Sequence, residues 1–292
     1  MFNLIRADLW RFFNINRLRG QFWSYALGAV LVAVLCCGLI VLVQSSPHDE
    51  DLSTYTASIT SMLANIFAGG GLYALACGFC ASEFLMGELK AGYIKNIVSG
   101  TRGKLAYFAA KLVFCCIACA ALLAALTAAS LVCALAFHMP LGAEPIARVA
   151  GWLALTWLSG CSFAILTAAI VWLTRSPSLG YAFAFVLSCG WVRELLIGLA
   201  HSSGGALRVL QPIAPVLEGI ATWLPSAGTQ LLGHGGAIFD MPAVLAASAF
   251  TNEGPLDALP VNAGVQVLII GMGWIALASA LALAIARKRD VA

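Results

Sequence analysis

Apolar residues run through this chain in blocks too long for a soluble fold. Gly20–Pro47 contains no Asp, Glu, Lys, Arg or His, and neither does Leu52–Ser82. Leu112–Phe137, Val149–Thr174, Ser176–Val192 and Ala258–Ala286 are equally clean. About 20 apolar residues in a helix cross the hydrocarbon of a bilayer. Five blocks pass that length easily. The block Ser176–Val192 is short, because Arg193 and Glu194 close it; each costs about 2.5–3.5 kcal/mol at the bilayer centre and far less at its edge. Ser176-Pro177 starts that block well, since Ser caps helices and Pro suits the first helical position. The pattern predicts six spans, over 22–43, 60–82, 107–136, 149–173, 177–196 and 263–286. The fold class expected is all-α integral membrane, in one domain over residues 1–292.

Three segments outside the spans carry pattern of their own. In residues 1–19, Phe2, Ile5, Leu9, Phe12 and Phe13 fall within about 100° of arc at 3.6 residues per turn. Arg6, Asp8, Arg11 and Asn14 lie outside that arc, so an amphipathic helix along the membrane surface is expected, with lipid as its partner. Residues 83–111 mix both signs of charge with an apolar patch of Ile94, Ile97 and Val98, broken by Gly100 and Gly103, with Thr101 placed to cap the next helix. This stretch is either a docking surface for a soluble partner or a solvated loop. Residues 195–261 are chopped by six prolines and several glycines. Their apolar pieces, Ile213–Leu224 and Met241–Phe250, are too short to span and suit re-entrant helices. Pairing them as spans gives an eight-span alternative.

Composition agrees with the blocks: of 292 residues 61% are hydrophobic and 10% charged, against about 25% charged in soluble domains. Where the charges sit says more than their total. With the N-terminus inside, 13 of the 16 Lys and Arg fall on inner segments and only Arg148, Arg193 and Arg208 on outer ones. That bias sets both termini inside a multi-pass cell membrane protein. The first span is too long for a signal-peptide core and no A-x-A-like site follows it, so it reads as an uncleaved anchor.

Chemistry is sparse. Ten cysteines lie inside apolar runs; Cys77/Cys80 and Cys116/Cys119 have CxxC spacing, but no His stands near, and they read as small residues at helix contacts. His48, His138, His201 and His234 show no metal spacing. Gly103-Lys104 resembles the end of a P-loop, but Val98 stands where the first glycine belongs. No basic face with aromatics suggests nucleic acid. An ion-coupled transporter keeps ionisable groups at mid-membrane. Lys111, a turn or two from the interface, is expected to snorkel out of it. Arg193 and Glu194, adjacent in sequence, are expected on different helix sides rather than as a pair. No residue is expected to be catalytic, no metal or cofactor is expected in this chain, and energy, if used, comes from another polypeptide.

One run carries a family resemblance. Glu88-Leu-Lys-Ala-Gly-Tyr-Ile-Lys-Asn-Ile-Val-Ser-Gly-Thr-Arg-Gly-Lys-Leu-Ala-Tyr-Phe-Ala-Ala-Lys111 resembles the segment after the second span of ABC-2 type transporter permeases. Glu88, Gly92, Lys95, Asn96, Arg102, Tyr107 and Lys111 match that pattern; the Pro usual ahead of the Arg is replaced by Ser99-Gly100-Thr101, which blurs the subfamily. Bacterial lantibiotic-immunity and bacitracin-type peptide and antibiotic exporters are nearest in character. The resemblance implies an amphipathic N-terminal connecting helix, six spans and re-entrant helices between the fifth and sixth. It implies two permeases, as a homodimer or with a sister permease, beside two ATP-binding subunits that hold ATP and Mg. Residues 83–104 would carry the coupling contacts, through Glu83, Glu88, Lys90, Tyr93, Lys95, Asn96, Arg102 and Lys104. Spans two and five would line the substrate path, near Gly69, Gly70, Gly71 and Gly78, which otherwise serve only as packing sites. The alternatives are a secondary transporter or channel, or a peptide-sensing subunit that does not transport.

Overall fold

The computed structural model describes residues 2–14, 21–44, 57–68, 71–90, 104–139, 141–200, 212–244 and 258–288. The surface helix α1 is Phe2–Phe13 and the first span α2 is Gln21–Gln44. The strand β1, Ala57–Ser58, leads into the short helix α3, Ile59–Leu63, and a π-helical turn at Ala64–Ala68. Ser58 caps α3 by accepting from the Ser61 amide at 3.2 Å. The long helices α4 (Leu72–Lys90), α5 (Lys104–Ala136) and α6 (Ile146–Thr174) follow, with β2 (Leu141–Gly142) between the last two. The helices α7 (Pro177–Ser188), α8 (Trp191–Ala200), α9 (Ala214–Thr222) and α10 (Pro225–Leu232) are short. A 3-10 turn at Gly235–Phe239 and the strands β3 (Pro242–Val244) and β4 (Ala258–Asn262) lead into the last helix, α11 (Ala263–Lys288).

Five helices are long and apolar enough to cross a membrane: α2, α4, α5, α6 and α11. The pair α7 and α8, bent by 54° at Cys189-Gly190, makes a sixth crossing if it is one span. A continuous helix over 177–196 was expected, and the break has a local cause. Gly190 has φ +73°, a left-handed conformation that glycine adopts without steric cost, and the helix restarts at Trp191. Ser176 also departs from expectation. It stands at the helix start, with Pro177 in the first turn, but its side chain makes no capping bond and its hydroxyl pairs with that of Ser178 at 3.1 Å.

The second span is displaced as well. Expected over 60–82, it is instead a π turn followed by α4, which carries Glu83 and Glu88 inside the helix. The charges do not end the helix because partners from elsewhere in the chain compensate the buried one. Of the two apolar pieces expected to be helical, Ile213–Leu224 contains the helix α9. Met241–Phe250 is not helical where it is described: Pro242–Val244 is a strand, paired antiparallel with β4. Pro242 cannot donate in a helix interior and sits at the strand's start.

The long helix α6 is the hub. Of its most apolar stretch 78% is buried in the protein, against 11% for α2, which leaves α2 at the lipid-facing periphery. On α6 pack α4, α5, α7, α10 and α11. Small residues let them close in: a Cβ on Gly160 would stand 2.5 Å from the Tyr73 ring, and one on Gly180 2.5 Å from Val171. Cysteines serve the same contacts; all ten are free, and Cys77, Cys80, Cys115, Cys119 and Cys161 are buried between α4, α5 and α6.

The end of the bundle opposite α1 is tied by polar groups. The carboxylate of Glu144 accepts from the Thr60 amide (3.0 Å) and hydroxyl (2.7 Å), and Thr60 in turn accepts from the Gly236 amide at 2.7 Å. Arg148 pairs with Asp240 nearby at 2.9 Å. Arg193 and Glu194, expected apart, form an ion pair: the long guanidinium stem folds back over its neighbour, and the arginine is buried.

Candidate functional site

At the α1 end, three helices each bring a charged side chain to one buried point. Along α1, Asp8, Arg11 and Phe12 lie three and four residues apart, hence on adjoining parts of one face. In α4, Phe84 and Glu88 are one turn apart, as are Tyr107 and Lys111 in α5. The spacing stacks an ionic layer over an aromatic one.

Lys111 is the centre, with no solvent exposure. Its Nζ donates to both carboxylate oxygens of Asp8 at 2.7 Å and to Glu88 Oε1 at 2.6 Å. Arg11 Nη1 donates to the same Glu88 oxygen at 2.9 Å, and the Tyr107 hydroxyl donates to Glu88 Oε2 at 2.6 Å. The Lys111 ammonium also stands 5.0 Å from the Phe84 ring centre and 5.2 Å from that of Tyr107, within cation–π range. Beneath lies the aromatic layer: Phe84 stacks on Phe114 at 4.0 Å, and Phe12 meets Phe114 edge-on at 5.5 Å.

Two carboxylates and two cations leave the cluster neutral. Glu88 sits in the last turn of α4, where the helix dipole disfavours an anion, so Lys111 and Arg11 are what holds its charge there. Burial pushes the Asp8 carboxyl above the usual carboxylate range, and Lys111 beside it pulls in the other direction. Such a cluster is a poor source of net stability, since desolvation offsets attraction, but removing one member leaves a charge uncompensated. Its bonds tie α1 to α4 and α5 in this register, through Asp8 to Lys111 and through Arg11 to Glu88.

Two expectations change here. Lys111 does not snorkel; it points into the protein because two carboxylates meet it there. The membrane-surface helix also turns differently from its wheel. Phe12 is buried and Ile5 and Leu9 are half-buried, but Phe2 (87%) and Phe13 (39%) are exposed, and the buried polar residue is Asp8, which the apolar arc left outside. The helix has two working faces, one docked on the protein through Asp8 and Phe12, one exposed through Phe2, Trp10 and Phe13.

Of the coupling residues expected, Glu88 is in the cluster. Glu83 is exposed on α4 and accepts from the Tyr25 hydroxyl at 3.3 Å, which ties α2 to the same end. Lys90 ends α4 and Lys104 begins α5. Tyr93, Lys95, Asn96 and Arg102 lie outside the described residues, as do Gly69 and Gly70 and the capping Thr101. Gly71 and Gly78 are buried between helices; a Cβ on Gly78 would meet Ala184 Cβ at 2.8 Å. Asp8 and Arg11 were missed as site residues. The signal available was indirect: a lysine inside an otherwise apolar run needs an anion, and Asp8 is the only acid in the first 48 residues. Among the described residues no group of His, Cys, Asp and Glu is arranged to hold a metal.

No protein-family model matches the chain, and no curated protein matches it either.

Proposed function

We propose that this chain is the permease subunit of an ATP-binding cassette exporter of the ABC-2 type. It sits in a bacterial cell membrane with both termini cytoplasmic, pairs with a second permease, and moves a peptide, antibiotic or other amphipathic substrate outward. A separate ATP-binding subunit holds ATP and Mg and supplies the energy.

The observation that carries this reading is the meeting of Glu88 and Lys111. These are the two ends of the run that resembles the family, and they close on each other at 2.6 Å while also gripping α1 through Asp8 and Arg11. The end of α4 and the start of α5, on either side of residues 91–103, are thus clamped together. A push on that connection would reach α1, α4 and α5 together instead of bending one helix. The position of the cluster favours a fastening over an ion-coupling site. Lys111 is seven residues into α5, about 10 Å of helix rise, so the charges lie near one end of the bundle and not at its middle. The inner bias of Lys and Arg favours the cytoplasmic side for that end.

In the purified complex with its ATP-binding subunit, Glu88→Ala together with Lys95→Ala should change the rate of ATP hydrolysis at least about tenfold, equivalent to about 1.4 kcal/mol of lost coupling. An unchanged rate counts against the coupling role of this region.

A further inference from the structure

The exposed face of α1 has a shape and a charge of its own. Asn3, Arg6, Ala7, Trp10 and Arg11 line an open hollow of about 610 Å³ along it. The spacing i, i+3, i+4, i+7, i+8 puts all five on one side of the helix. Two lining residues are arginines and none is acidic. Among the described residues Arg6 has no ion pair, while Arg11 commits Nη1 to Glu88 and keeps 37% of its side chain exposed. Trp10, 69% exposed, stands between them with Phe2 and Phe13 beyond.

Depth fixes what meets this face. The ion cluster holds α1 at the end of the spans, where headgroups lie and where tryptophan settles. We infer that the hollow binds the headgroup of an anionic phospholipid, its phosphate on Arg6 and Arg11 and its chains along Phe2 and Phe13. Charge complementarity selects an anionic lipid over a zwitterionic one. A free anion would use the arginines and leave the aromatic stripe unused. The inference requires only that the chain is embedded in a membrane, and stands apart from ATP coupling. It has one consequence for the cluster: Arg11 serves both the lipid and Glu88, so lipid composition acts on the grip of α1.

The test uses the full chain purified in a mild neutral detergent. Phosphatidylglycerol and phosphatidylcholine of the same acyl chains are added in turn, then inorganic phosphate alone, with thermal unfolding and native mass spectrometry as readouts. Phosphatidylglycerol should raise the melting temperature above the phosphatidylcholine value and remain bound; phosphate should do neither. Arg6→Gln should weaken phosphatidylglycerol binding about fivefold, the effect of about 1 kcal/mol per basic residue near a charged surface, and Trp10→Ala should weaken it too. Both residues are exposed, so melting without lipid should match the parent. Equal shifts from the two lipids, a shift from phosphate alone, or full phosphatidylglycerol binding in both variants would overturn the inference.

Discussion

Lys111→Ala is expected to cost this protein about 3–5 kcal/mol, the loss seen when one partner of a buried ion pair is removed. Lys111 donates to three carboxylate oxygens and has no exposure. Without it Asp8 and Glu88 face each other in an apolar setting. Arg11 cannot replace it, because it reaches Glu88 from the exposed side. Asp8→Asn should cost much less. It leaves Lys111 paired with Glu88, and the spare positive charge belongs to Arg11, which has water beside it. Burial already disfavours the Asp8 anion, so neutralising it forfeits part of a penalty as well as a contact. The combined variant Asp8→Asn, Glu88→Gln, Lys111→Met should recover most of the loss, since no fully buried charge remains and the one cation left, Arg11, keeps 37% of its side chain exposed. Thermal and denaturant unfolding of the detergent-purified chain would check the order. Lys111→Ala as stable as the parent would mean that the cluster does not hold α1.

Gly71→Ala should produce the next largest defect, about 2–5 kcal/mol, by a different route. Gly71 has φ +70°, which costs an L-residue about 1–2 kcal/mol. A Cβ there would also stand 2.2 Å from the Ser188 carbonyl oxygen, a backbone atom at the end of α7 that cannot rotate aside. Overpacking of this kind adds about 1–3 kcal/mol. The start of α4 and the bend between α7 and α8 would be forced apart together. Gly38→Ala is the control: Gly38 is inside α2 with nothing within 4 Å of a built Cβ, so it should be neutral or stabilising by up to about 1 kcal/mol. Equal melting of the two variants would contradict the close approach at Gly71.

These two sites show what the sequence could and could not reveal. The spans α2, α5, α6 and α11 were legible to within a few residues, because an uncharged run of 25 residues has few fates. The displacement of α4 was not. Charge at Glu83 and Glu88 argued for an exit from the membrane, and only the partners, 19 to 77 residues away, reverse that reading. Asp8 was invisible for the same reason: a helical wheel sorts residues by polarity, and a polar residue bound for a buried cation looks solvent-bound. The bend at Gly190 and the strands β3 and β4 depend on backbone conformations that many sequences share. The resemblance run pointed to Glu88 and Lys111 as a motif, and the structure adds that they touch.

The proposal that the motor is on another chain is tested most directly by purifying the tagged full chain from its own membranes and reconstituting it with and without the ATP-binding subunit. The expected result is a stoichiometric P-loop partner whose ATP hydrolysis depends on this chain and falls toward the partner's own basal rate when Lys111 and Asp8 are exchanged for neutral residues in a folded variant. A chain that purifies alone, and that carries solute or ions across liposomes with no ATP-binding subunit present, would contradict it.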